Sequence, residues 1–245
     1  MKTSGKIIGE EAFLFMQELY DHNRKEWFDA NRPRYEEFVK RPMKALAESL
    51  AGPVSTILPD FSGKYKISRI NNDIRFAPDK PPYKEHMWIS FGRGGESGAD
   101  LFAGISRNGW AAGCCTCGSK REHLDGWRNN LVEHQDLWRK YSQAAKWGEK
   151  VMAHHQQVYK KPLFPDIPED LSDLIQTKGV WIVEDGGREF QDNPERDIFQ
   201  GLCRMLPFYL FMKSEPDKLR EEFSRLRDRI NAPSAEVKEM WRLLV

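Results

Sequence analysis

Residues 86–116 read His86-Met87-Trp88-Ile89-Ser90-Phe91, a glycine-rich run from Gly92 to Gly98, Leu101-Phe102-Ala103-Gly104-Ile105-Ser106, then Asn108-Gly109 and Trp110-Ala111-Ala112-Gly113-Cys114-Cys115-Thr116. The first segment alternates polar with apolar side chains, as a strand does when one face meets a core. Asn108-Gly109 is the strongest hairpin signal in the chain, because both residues tolerate positive φ. The small residues of the returning segment predict a helix packed closely over one face. A further run, Lys66-Ile67-Ser68-Arg69-Ile70, extends the strand region upstream, so it spans about 64–117.

Helical periodicity dominates on the N-terminal side. Phe13, Met16 and Tyr20 recur at helical spacing from Glu10 to Tyr20, with Leu14 and Leu19 widening the face. Asp21-His22-Asn23 breaks the pattern, and Asn23 with Glu26 fits a capping box ahead of Trp27-Phe28. Asn31-Arg32-Pro33 suits another helix start. An apolar stripe from Tyr35 through Val39, Met43, Leu46 and Leu50 then predicts a helix kinked at Pro42 and ended by Gly52-Pro53.

Downstream, Leu124 to Trp147 reads as one long helix. Prolines at 162, 165 and 168 mark a loop. Leu171-Leu174-Ile175 is a short helix and Val180 to Val183 a late strand near 180. Asp192-Asn193-Pro194 caps a helix that Pro207 bends, and a last helix covers about 217–230 with Leu219, Phe223, Leu226 and Ile230 inward. Helices, then strands, then helices predict an α+β fold: a central antiparallel or mixed sheet packed by N- and C-terminal helices, in one domain over 1–245.

Composition narrows the function classes. The chain has 38 Lys+Arg against 37 Asp+Glu, a net charge of +1, which argues against a nucleic-acid footprint covering the whole molecule but leaves room for a local patch. No apolar run approaches the roughly 20 residues of a membrane span. The N-terminus lacks the apolar core of a signal peptide, and three of the four cysteines crowd into 114–117, so a reducing cytoplasm is expected.

Asn23-Arg24-Lys25-Glu26-Trp27-Phe28, Tyr35, Pro42 and the long run from Arg69 through Asn71-Asn72-Asp73-Ile74-Arg75-Phe76-Ala77-Pro78-Asp79-Lys80-Pro81-Pro82-Tyr83-Lys84 resemble a conserved hypothetical family, domain of unknown function twenty-four sixty-one. The family-like region covers about 10–213. The resemblance implies an α+β domain and carries no activity with it. Members usually have a basic residue where Asn72 stands, so the local charge here is lower.

That charge is still the chain's most uneven. From Lys64 to Arg93 there are seven basic residues and three acidic ones, a difference of +4. If Asp73 to Phe76 is extended, Asp73 and Arg75 share a face while Ile74 and Phe76 point inward. Arginine forks and lysine ammoniums suit phosphate or carboxylate. Pro78, Pro81 and Pro82 restrict the loop before anything binds. The expected site comprises Arg69, Asp73, Arg75, Asp79, Lys80, Tyr83 and Lys84: Arg69, Arg75 and Lys84 contact the anion, and Asp73 and Asp79 orient the guanidiniums. Its expected partner is a small phosphorylated or carboxylated ligand, with nucleic acid left open and no cofactor, metal or membrane called for.

Two other readings use the same residues. One is a magnesium-dependent phosphoester hydrolase or nucleic-acid-processing enzyme, with Asp73 and Asp79 on the metal. The other is a protein-interaction module whose Arg/Asp motif only holds the fold. Elsewhere, Cys114 and Cys117 have C-x-x-C spacing but point to opposite sides of a strand, and are read as buried packing. His86 can join the site as a base or sit as an edge histidine. His154-His155 reads as solvated, and the loop with Arg93 and Glu96 lacks the order of a phosphate loop.

Overall fold

The structure is a computed structural model that describes residues 7–61, 63–75, 79–92, 99–116, 120–155, 157–164, 167–191 and 193–231. Phe76, Ala77, Pro78, Arg93, Glu96, Cys117, Pro165 and Asp192 lie outside the described residues, as does the side chain of Ile230.

Six strands form one sheet: β1 (Lys66–Ile67), β2 (His86–Phe91), β3 (Asp100–Ser106), β4 (Gly109–Cys115), β5 (Val151–His155) and β6 (Val180–Gly187). Their spatial order is β1-β2-β3-β4-β6-β5, and each neighbouring pair is antiparallel, which resolves the choice between antiparallel and mixed. The β3–β4 turn uses Arg107 and Asn108, and positive φ falls on Gly109 alone, at 132°. Asn108 stays at negative φ, its N–H bonded to Ser106 Oγ at 3.1 Å. β5 was not expected: three apolar residues are a weak strand signal, and pairing with β6 makes them a strand.

Helix α1 (Glu10–Asp21) buries Phe13, Phe15, Met16 and Leu19, while Leu14 and Tyr20 face solvent, contrary to the spacing-based face. Helix α2 (Lys25–Tyr35) runs through a π-helical turn at Glu36–Lys40 into α3 (Arg41–Ile57). Asn31-Arg32-Pro33 therefore starts no new helix, and Gly52-Pro53 ends none. The π turn lies just before Pro42, and Arg41 bonds back to Glu36 across it, so the wider turn takes up the proline's missing N–H and its crowding ring. Burial of Val54 and Ile57 carries the helix past Pro53.

The expected long helix is two, α4 (Arg121–Glu133) and α5 (Gln135–Ala144), broken at His134 (φ −124°). The break lets His134 Nε2 meet Pro216 O at 2.9 Å, and it leaves Trp147 outside the helix. Then follow α6 (Ser172–Gln176), α7 (Pro194–Lys213), capped by Asn193 Oδ1 from Arg196 N–H at 2.9 Å, and α8 (Leu219–Asn231).

Side chains of α4 close two helix C-termini, where carbonyls lack helical partners. Arg128, 2% exposed, donates to Ile175 O at 3.0 Å and Thr177 O at 2.8 Å and pairs with Asp125 at 2.7 Å. Asn130 Nδ2 donates to Phe211 O at 2.9 Å and Ser214 O at 2.8 Å.

The large core lies on one face of the sheet, where α7 crosses β4. A Cβ at Gly201 would stand 2.9 Å from Ala112 Cβ, so the helix reaches the strand only because both residues are small. No described helix is long and apolar enough to cross a membrane.

Arg128→Ala strips two buried carbonyls of their donor and should destabilise by about 3 kcal/mol. Urea unfolding, read as a lower midpoint at unchanged m value, measures it.

Candidate functional site

The segment from Ile70 to Lys84 is a loop closed on itself. Lys84 N–H donates to Ile70 O at 2.7 Å and Asn72 N–H to Pro82 O at 2.9 Å. The Asn72 carboxamide reaches across to Pro81 O at 2.8 Å and Tyr83 O at 3.0 Å. Asn72 thus acts as a clasp across the loop.

Asn23 makes the second clasp. Its Oδ1 accepts the Tyr83 N–H at 3.0 Å and its Nδ2 donates to Tyr83 O at 2.9 Å, so one side chain reads a backbone as a neighbouring strand would. It caps no helix: α2 has no side-chain cap. Tyr83 is buried, its ring stacked on Phe28 at 4.1 Å and 17°. Burial, more than the nearby Asp29, raises its phenol pKa. Tyr83 is thus an anchor, and the two motif segments, around 23–28 and 69–84, are two halves of one contact. Sequence reading missed this; the signal available was an asparagine in each segment beside an aromatic residue.

Asp73 and Arg75 lie elsewhere on the loop. Asp73 Oδ1 accepts the Arg75 backbone N–H at 3.2 Å and Nε at 2.9 Å, and Oδ2 accepts Nη2 at 2.6 Å. This local pairing competes with a strand, and residues 73–75 form none. Ile74 is exposed rather than inward, and Asp73 and Arg75 are exposed too. The guanidinium holds Asp73 below the usual carboxylate range. Asp79 is exposed on the same loop.

The cations that do converge are Lys66, Arg69, Lys80 and Lys84. Lys84 is partly buried, and its pKa is lowered first by that burial, then by the fields of Lys80, Arg69 and Lys66. None of the four makes an ion pair among the described residues. His86 opens β2 beside them. Burial pushes its pKa down to about 4, and Lys84 and Lys80 add to the effect, so the ring is neutral at pH 7. Of the expected site, the structure groups Arg69, Lys80 and Lys84, adds Lys66 and His86, and sets Tyr83 and the Asp73–Arg75 pair to other tasks.

No group of three His, Cys, Asp or Glu placed to hold a metal occurs among the described residues. A cavity of about 160 Å³ opens between the end of α3, α7 and α8, lined in part by Asp60, Tyr209, Lys213, Glu222 and Arg229. Lys213 pairs there with Asp60 at 3.1 Å, Arg229 reaches Ile57 O at 3.5 Å, and no residue of 64–84 lines the cavity.

The family comparison spans both halves of the clasp. Residues 11–211 match the model of the conserved hypothetical protein family DUF2461. The chain belongs to DUF2461. The matched span holds Asn23, Phe28, Tyr83 and the four converging cations. Among curated proteins, nothing matches the chain.

Asn23→Ala should cost about 1–2 kcal/mol, because it leaves the part-buried Tyr83 N–H unpaired and takes one of the two donors from Tyr83 O, which keeps its bond from Asn72. Arg75→Ala, on an exposed pair, should leave the unfolding midpoint where it is. Chemical denaturation of the two variants side by side separates the clasp from the loop tip.

Proposed function

We propose that this DUF2461 protein binds a small phosphorylated or carboxylated ligand through Lys66, Arg69, Lys80 and Lys84. The supporting observation is the surround of Lys84: three further cations and no paired acid among the described residues. Gathering like charges is unfavourable, and an arriving anion relieves it. The clasp of Asn23, Asn72 and Tyr83 fixes the loop that carries Lys80 and Lys84, which lowers the ordering cost of binding.

The clasp also weighs against a motif that is only structural, because the residues that hold the loop are not the cations. For the hydrolase reading, Asp73 already has both oxygens on Arg75, and no third acid is grouped with it among the described residues. The proposal includes a cytoplasmic setting, which the free thiols of Cys114, Cys115 and Cys203 suit.

A thermal-shift series with phosphate, citrate and sugar phosphates tests the site. A ligand at about a hundred times its dissociation constant adds ~2.7 kcal/mol to the native state. Arg69→Ala and Lys84→Met should melt with the parent and lose that response. An unresponsive parent protein would sink the proposal.

His86 supplies a pH signature. Its folded pKa of about 4 lies below the unfolded value, so on acidification the unfolded chain takes the proton first. Native stability should therefore fall as pH drops from about 6.5 to about 4, by on the order of 3 kcal/mol relative to His86→Asn. A bound anion favours the imidazolium, so adding phosphate should raise the His86 pKa in an NMR titration.

A further inference from the structure

The helices take one face of the sheet. On the other, Phe102, Ala111, Cys115 and Val183 form a separate apolar cluster that, among the described residues, is built from the sheet alone, with Trp88 against it. Its rings run in a row: His86 to Trp88 at 5.1 Å, Trp88 to Phe102 at 5.2 Å, Phe102 to Trp181 at 6.3 Å. They lie over glycines. A Cβ on Gly104 would sit 2.4 Å from Trp88 Cε3, and one on Gly113 2.5 Å from Phe102 Cζ. The bed is flat because it lacks side chains, so Trp88 is only half-buried and Trp181 is 37% exposed.

The row begins at the cationic cluster. His86 and Trp88, two residues apart on β2, share this face, and His86 feels the charge of Lys84 and Lys80. Lys66 pairs with Ser90 on the neighbouring strand, while Ile67 beside it turns into the large core, so Lys66 also faces outward. Among the described residues the strand acids in register with this face lie away from Lys66: Asp185 stands across from Ala111, at the far end of the row that starts with Trp88 and Gly104, and Asp100 stands across from Cys115. Positive charge at one margin and open aromatic rings beyond it make an arrangement that a bare phosphate uses only in part.

We infer that the outer sheet face is a stacking platform for single-stranded nucleic acid, with phosphates on Lys66, Arg69 and Lys84 and unpaired bases on Trp88 and Trp181. This rests on the anion-binding reading above. Every base has a π face, so such a platform accepts strands without reading sequence, and a duplex, whose base faces are covered, does not fit it. Phosphate neutralisation by lysine and arginine supplies the salt-dependent part of the affinity.

The test titrates the full chain with fluorescein-labelled oligothymidine and, separately, with inorganic polyphosphate, which offers the charge without bases. The parent should bind both, and its tryptophan fluorescence should fall with the oligonucleotide only. Trp88→Leu and Trp181→Leu should each weaken oligonucleotide binding roughly tenfold and leave polyphosphate binding unchanged. Undiminished oligonucleotide binding by both variants would overturn the platform and leave the anion site standing. Failure of the parent to bind either polymer would overturn both readings. If Trp88→Leu does not fold, Trp181→Leu and the fluorescence response decide. Sedimentation closes the remaining route: a dimer that Trp181→Leu splits and oligonucleotide does not would give this face to a second copy of the chain and overturn the inference.

Discussion

The close approach of α7 to β4 sets the rest of the architecture. Gly201 and Ala112 let the helix lie against the strand, and Met205, Phe208 and Phe211 then fill the space on either side. Every buried helical side chain in the two apolar clusters belongs to that one face. A sheet packed on a single side must protect its other surface by its own means. Here large rings are laid over glycines, and Phe102 and Cys115 are buried in a cluster to which, among the described residues, the sheet alone contributes.

Charge is handled by a different rule on each side. Within the core, Glu184 on β6 meets Arg204 on α7 through a bidentate pair at 2.6 and 2.7 Å, and a carboxylate only 5% exposed has its countercharge fixed in place. At the β1–β2 margin four cations gather around a partly buried Lys84, while Lys66, Arg69 and Lys80 stay exposed and Asp73 feels the field of Lys80. Structural ion pairs and recruiting charges can look alike in sequence, and what separates them is whether the acid arrives. For Arg128 and Arg204 it does; for Lys84 no acid arrives among the described residues.

Strand alternation and the hairpin signal were legible because a half-buried strand imposes a period of two on its own residues. The α+β class, β2 to β4, the capped α7 and the helix over β4 followed from that. What was not legible depended on partners far away in sequence. Asn23 looks like a cap because capping is its commonest local use, and its actual partner is 60 residues on. Pro33 and Pro53 look like boundaries, and tertiary burial of Tyr35, Val54 and Ile57 keeps the chain helical through them. The cationic stretch was visible as composition. Its division into a clasp, a self-paired loop tip and a group of converging cations was not, since that depends on which acid reaches which base.

The β1 edge has one more consequence. It is two residues long, its outward side chain is Lys66, and the chain beyond it turns into a loop tied down by Asn72. A long, apolar, unpaired edge invites another strand to add to the sheet; a two-residue one that opens on a lysine does not. The charge at this margin therefore also guards the sheet against self-templated growth, so a substitution that removed Lys66 would bare an edge as well as thin the cationic group.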